Sequence, residues 1–133
     1  QIPKLKRKLS KLFKKMIRER DGNICISCGK IASFVQAGHF MPDGMTGMTR
    51  WHVKNVNVQC STCNLTEHGN SHDYGIALDK KYGEGTAEYL KQIARKNNYQ
   101  DEVQTLITLI DCLKNTPDKY EEVYCEIFKK YEL

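Results

Sequence analysis

Apolar residues recur at steps of three and four near the start of the chain. Leu5, Leu9, Leu12, Phe13, Met16 and Ile17 share one stripe, and lysines and arginines cover the rest. That period predicts an amphipathic helix with its stripe on a core. Pro3 suits the first turn, and Asp21-Gly22 supplies the stop. From 23 to 60 the period disappears. β-Branched and aromatic residues around Val35 to Phe40 predict a strand, "MPDGMTGMTR" a loop, and the alternation of "NVNVQC" a second short strand, together a hairpin. A short helix is expected from Cys63, ended at Gly69. One or two helices fall between Tyr74 and Lys96, broken around Gly83-Glu84-Gly85. Further on, Val103, Leu106, Ile107, Ile110 and Leu113 form one helical stripe. Tyr120, Val123, Tyr124, Ile127, Phe128 and Tyr131 form another, with Thr116-Pro117 as a helix start between them. Tyrosines at this spacing are expected in a core rather than as a platform for stacked bases.

The 133 residues suit one domain, and 40% hydrophobic with 28% charged content is that of a soluble globular chain. No apolar run approaches the roughly 18 to 20 residues of a membrane helix. The lysine-dense start lacks the apolar stretch of a signal peptide. A cytoplasmic protein without membrane contact is the expectation, and a first residue of Gln1 rather than Met is what a fragment would show. The formal charge of +5 hides an asymmetry. Residues 1–20 hold nine of the 21 basic residues and one acid, Glu19, a balance of +8, while the rest of the chain sums to −3. So concentrated a charge points to phosphates, with Lys8, Lys11, Lys15 and Arg18 as the DNA-contacting candidates.

Six cysteines divide into Cys25-x-x-Cys28, Cys60-x-x-Cys63 and the isolated Cys112 and Cys125. Without a secretory signal, two such pairs argue for a zinc ion held by four thiolates. A four-cysteine site has no open coordination position, so this Zn²⁺ would be structural. Cys112 and Cys125 read as buried small apolar residues. Between the pairs, His39 lies in the first strand, Asn55 shortly before Cys60, and Asn64 directly after Cys63.

That arrangement resembles the HNH, or ββα-metal, nucleases. The resemblance implies that His39 is the general base activating water, that Asn55 orients it across the hairpin loop, and that Asn64 ligates a catalytic Mg²⁺ or Mn²⁺ from the helix. Many HNH sites carry an Asp, Glu or His before the histidine as a second ligand. Here that position is Gly38, which leaves His68, then Asn70, Glu67 and Asp43, as candidates, with His68 preferred because it lies four residues after Asn64. Arg50 is the candidate for a phosphate contact inside the site. His52 and His72 are expected at the surface.

"IRERDGNICISCGK", "AGHF", Arg50 with Trp51, "NVNVQCSTCN", and "GN" followed by Tyr74 narrow the likeness. From about Ile17 to Ala94 the chain resembles the NinG/Rap family of lambdoid-phage recombination endonucleases. The resemblance implies a structure-directed nuclease acting on branched DNA such as Holliday junctions and D-loops, in the bacterial host cytoplasm. Junction cleavage by paired active sites makes a homodimer attractive, although the helical C-terminal third could equally pack on the nuclease core. The expected fold is α+β, a single domain over 1–133. A basic amphipathic helix spans 1–22, a zinc-stapled HNH-like core 23–72, and a helical extension 73–133. Two rival readings are a non-catalytic zinc-ribbon module that binds nucleic acid, and an interaction protein whose basic helix docks an acidic partner.

Overall fold

The computed structural model describes residues 1–42, 47–66, 70–96 and 99–131. Helix α1 (Ile2–Asp21) buries Leu9, Phe13 and Ile17, the stripe its periodicity predicts, and ends at Gly22, whose positive φ of 67° suits glycine. Two antiparallel strands follow, β1 (Val35–His39) and β2 (Val56–Cys60), in the register Gly38↔Asn57 and His39↔Val56. Among the described residues they form the whole sheet. Helices α2 (Ser71–Tyr82) and α3 (Thr86–Ala94) divide at Gly83 and Gly85, where the glycines predict a break. Helix α4 (Val103–Asn115) leads through a 3₁₀ turn into α5 (Tyr120–Phe128). The architecture is α+β, helices around a small hairpin. No described helix is long and apolar enough to cross a membrane.

The hydrophobic stripes meet in one core. Leu9, Phe13 and Ile17 of α1 join Val56 and Val58 of β2, Leu106 and Leu109 of α4, and Tyr120, Tyr124 and Phe128 of α5. Phe13 and Tyr120 rings pack at 5.4 Å. The helical C-terminal third therefore packs on the hairpin unit. Its tyrosines reach the hairpin loop, Tyr120 donating to the Trp51 carbonyl at 2.7 Å and Tyr124 to the Met48 carbonyl.

Of three local expectations, one fails and two are met in altered form. Thr116-Pro117 opens the 3₁₀ turn before α5, as expected for a helix start, although the Thr116 hydroxyl caps no N–H and turns back to Cys112 Sγ at 3.7 Å. Cys125 is exposed while Cys112 is buried, because α5 has its stripe on the tyrosine side. The short helix expected from Cys63 is present as a π-helical turn over Thr62–Thr66, while its expected end at Gly69 lies outside the described residues; α2 begins at Ser71.

The outer edge of β2 is closed by the last turn of α1. Arg20 Nη2 donates to the Val56 carbonyl at 3.0 Å, Asp21 Oδ2 accepts the Val58 N–H at 3.0 Å, and Ile26 N–H reaches the Val58 carbonyl at 2.8 Å. A salt-bridged Arg-Asp pair thus stands where a third strand would, satisfying a sheet edge.

Candidate functional site

The Sγ atoms of Cys25, Cys28, Cys60 and Cys63 all lie within 4.8 Å of one another, and Cys28 to Cys60 is 3.9 Å. A tetrahedral zinc with Zn–S bonds of about 2.3 Å sets its sulfurs about 3.8 Å apart, so the cluster can hold zinc. The Cys25–Cys28 arm is a knuckle. Gly29, at φ 74°, donates to the Cys25 carbonyl at 2.8 Å, and Cys25 N–H returns to Lys30 at 2.9 Å. Asn70 Nδ2 donates to Cys63 Sγ at 3.6 Å, a contact suited to a thiolate. Burial pushes the Cys63 thiol up to about 12. At Cys25 desolvation is outweighed by backbone N–H groups, those of Cys60 and Cys28 foremost, and the pKa falls to about 7. A bound divalent ion would override this split and hold every sulfur as thiolate.

His39 ends β1, half-buried, with Nε2 2.9 Å from the Arg50 carbonyl. A carbonyl only accepts, so in the neutral ring Nε2 carries the proton and Nδ1 the basic lone pair. Asn55 fixes the loop that supplies this carbonyl. Its Oδ1 accepts the Met41 N–H at 2.8 Å, while Nδ2 donates to the carbonyls of Met41 at 3.1 Å and Thr49 at 3.0 Å. One fully buried amide thus staples the end of β1 to the turn before Arg50. Asn55 and His39 are linked through the loop backbone, with no hydrogen bond between them among those described.

Asn64 lies on the other face of the hairpin. Alternation along β1 separates Gln36 and Gly38 from His39, and Asn64 joins the first pair, its Nδ2 donating to Gln36 Oε1 at 2.6 Å. Its oxygen crowds Gly38, where an added Cβ would stand 2.9 Å from Asn64 Oδ1 and 2.8 Å from Gln59 Cδ. Tyr74 closes the floor, its hydroxyl donating to the Gly38 carbonyl at 2.7 Å. Burial pushes that phenol well above its ordinary 10.

Beside the Arg50 loop runs an open groove of about 370 Å³ lined by Lys6, Arg7, Ser10, Lys11, Lys14 and Arg50. Trp51 ties the loop to α1 by donating to Ser10 Oγ at 3.1 Å, and the Arg50 guanidinium lies 5.2 Å over the Trp51 ring. Asp101 pairs with Lys6 at 3.1 Å and stands 3.9 Å from Arg50. Five basic side chains around one groove fit a phosphate backbone.

A family model described as bacteriophage lambda NinG protein matches residues 3–119. The chain belongs to the NinG family. No curated protein and no solved structure matches it.

Within this NinG chain, the expected site residues fall into three groups. His39, Arg50 and Asn55 come together around the loop, the four cysteines form one cluster, and Lys11 lines the groove. Lys8 and Lys15 do not line it. Lys8 sits against Lys114 of α4, whose hydrogen bond and charge lower its pKa, and Lys15 makes an exposed pair with Glu19 at 3.8 Å. Arg18 is exposed. Asp43, Glu67 and His68 lie outside the described residues, and Asn70 faces Cys63. Of the two histidines expected at the surface, His72 is exposed, but His52 is 3% exposed, between Tyr124 at 5.1 Å and Tyr89 at 6.0 Å.

The polar residues of β2 are what sequence reasoning missed in this NinG chain. Asn57 is fully buried, its Oδ1 accepting from Arg20 at 3.0 Å, Tyr82 at 2.9 Å and Lys81 at 3.1 Å. Gln59, equally buried, donates to Ser27 Oγ at 2.7 Å. Alternation alone reads such positions as a wet face. The available signal was the flanking pattern, since a two-stranded sheet between a cysteine knuckle and a helix has both faces covered.

Proposed function

We propose that this NinG-family protein is a metal-dependent endonuclease that hydrolyses phosphodiester bonds in branched DNA. The observation that carries this reading is the His39 ring, fixed by the Arg50 carbonyl on a loop whose outer side borders the basic groove. Nδ1 of His39 takes a proton from water as the water oxygen bonds to phosphorus; the bond from phosphorus to the 3′-oxygen breaks, and that oxygen is protonated from solvent. Asn55 keeps the carbonyl, and with it the ring, in place. The groove holds the strand so that water, phosphorus and leaving oxygen stay in line. A bound Mg²⁺ or Mn²⁺ would supply charge for the leaving oxygen, and the Asn64 oxygen, over Gly38 at the strand end where His39 is the last residue of β1, is suited to hold such a hard ion. The preference for Holliday junctions and D-loops, like the place of action in the bacterial cytoplasm, follows from the resemblance to the phage recombination endonucleases.

The four-cysteine cluster favours a second reading, a non-catalytic zinc module that binds nucleic acid through the same groove. One experiment separates the two. Labelled four-way junction is incubated with protein and Mg²⁺ or Mn²⁺, beside a His39→Ala variant, with binding followed in parallel. Cleavage by the parent and none by a variant that still binds supports the endonuclease. Binding without cleavage by the parent under either metal leaves the zinc module.

A further inference from the structure

Resting on the endonuclease reading, we propose that Gln59 is the second protein ligand of the divalent cation. Gln59 and Asn64 together stand in for the side chain that many HNH sites carry before the histidine. Gly38 has no room for such a side chain. A Cβ there would meet Asn64 Oδ1 at 2.9 Å and Gln59 Cδ at 2.8 Å, with Gln59 Oε1 closer still. The glycine is thus the partner of two amides that reach over it from different elements, Gln59 from β2 and Asn64 from the π-helical turn.

Each amide turns its nitrogen away from Gly38. Gln59 Nε2 donates to Ser27 Oγ at 2.7 Å, and Asn64 Nδ2 donates to Gln36 Oε1 at 2.6 Å. Both carbonyl oxygens are therefore presented over the same glycine. Two oxygens brought together repel, and a hard cation relieves that repulsion because oxygen is its preferred ligand. Gln59 is fully buried and held by Ser27, so its oxygen is ordered before any ion arrives. Asn64 is half-buried and leaves one side open to water and to a phosphate. Both ligands are neutral and suffice to hold the ion by themselves, and a substrate phosphate adds the negative charge that tightens it. Cation and substrate then bind cooperatively, each raising the affinity of the other equally.

The test uses zinc-saturated protein titrated with Mn²⁺, the free aquo ion being followed by electron paramagnetic resonance. The parent is compared with Gln59→Leu, Gln59→Glu and Asn64→Leu. Loss of a ligand should weaken Mn²⁺ affinity at least as much as loss of an outer partner, about tenfold or more. The carboxylate of Gln59→Glu should tighten it. Circular dichroism and zinc content report that the fold is unchanged. Parent-like affinity in Gln59→Leu overturns the inference, as does a parent that binds no Mn²⁺. Both results fit an alternative in which the Asn64 amide is rotated to donate to Gln59 and no ion is involved. Should Gln59→Leu fail to fold, Gln59→Glu decides, and affinity no tighter than the parent's overturns the inference. Mn²⁺ held through Gln59 by a protein that cuts no junction leaves the ligand assignment standing and removes the endonuclease reading. Cleavage by a parent whose Mn²⁺ affinity ignores Gln59 does the reverse.

Discussion

His52 gives this fold a pH dependence whose size follows from its surroundings. The ring is 3% exposed, packs on Tyr124 and Tyr89, and accepts the Lys54 N–H at Nδ1 at 3.1 Å. Burial, helped by the charge of Lys54, holds its pKa down at about 4, against an ordinary 6.5. As pH falls through 6.5 the unfolded chain takes up a proton on His52 that the folded chain refuses until about pH 4. Stability from this group is nearly complete above pH 6.5, declines by about 1.4 kcal/mol per unit below it, has lost about 3 kcal/mol by pH 4, and levels off at about 3.4 kcal/mol at lower pH. His52→Phe keeps an aromatic ring and has no proton to bind, but leaves the Lys54 N–H without its acceptor, which costs about 1 kcal/mol. The parent should therefore be the more stable chain at pH 7.5 by about 1 kcal/mol, and the variant at pH 4.5 by about 2 kcal/mol, the curves crossing near about pH 5.8. Urea unfolding of both zinc-saturated chains across this range measures the difference. Protonation of the cysteine cluster is common to both and cancels. Asp21 acts at lower pH: desolvation alone would raise its pKa, but the Arg20 hydrogen bonds and charge outweigh it and carry it below 3.8. A stability difference that stays level from pH 7.5 to 4.5 would refute the reasoning.

Three other outcomes test the site. Asn55→Ala removes the three hydrogen bonds of a buried side chain, so unfolding should become easier by about 3 kcal/mol. Junction cleavage should fall about 100-fold through misplacement of His39; cleavage as fast as the parent's by a folded variant would sink the positioning role. Neutralising Lys11 and Lys14 together should reduce the dependence of log affinity on log salt by about 2, whereas Lys15→Gln should leave it nearly unchanged. Equal loss from either change would remove the groove as the phosphate seat. Native mass spectrometry should find one zinc per chain, lost in Cys63→Ser. Chelation should expose Cys25 and Cys28 to alkylation, since structural zinc contributes about 10 kcal/mol or more to such folds. Alkylation at one rate with and without zinc would count against the cluster as a metal site.

Much of the architecture was legible because local chemistry repeats along the chain. The α1 stripe, the glycine break between α2 and α3, and the two cysteine pairs depend on neighbours a few residues apart. His39, Arg50 and Asn55 were legible for a related reason: one hairpin contains all three, so their meeting needs no distant element. The altered details are those set by long-range packing. His52 looks like a loop histidine until α3 and α5 place tyrosines over it. Lys8 and Lys11 are alike on paper, and only the position of α4 beside one and of the Arg50 loop beside the other separates their roles. Gly38 looks like a missing ligand until Gln59 and Asn64 fill its space from two other elements. Periodicity records which face of an element avoids water, and by itself the sequence determined that much here. Which neighbour covers each face, and hence which polar groups are held dry and aimed at one another, was decided only when the helices closed on both sides of a two-stranded sheet.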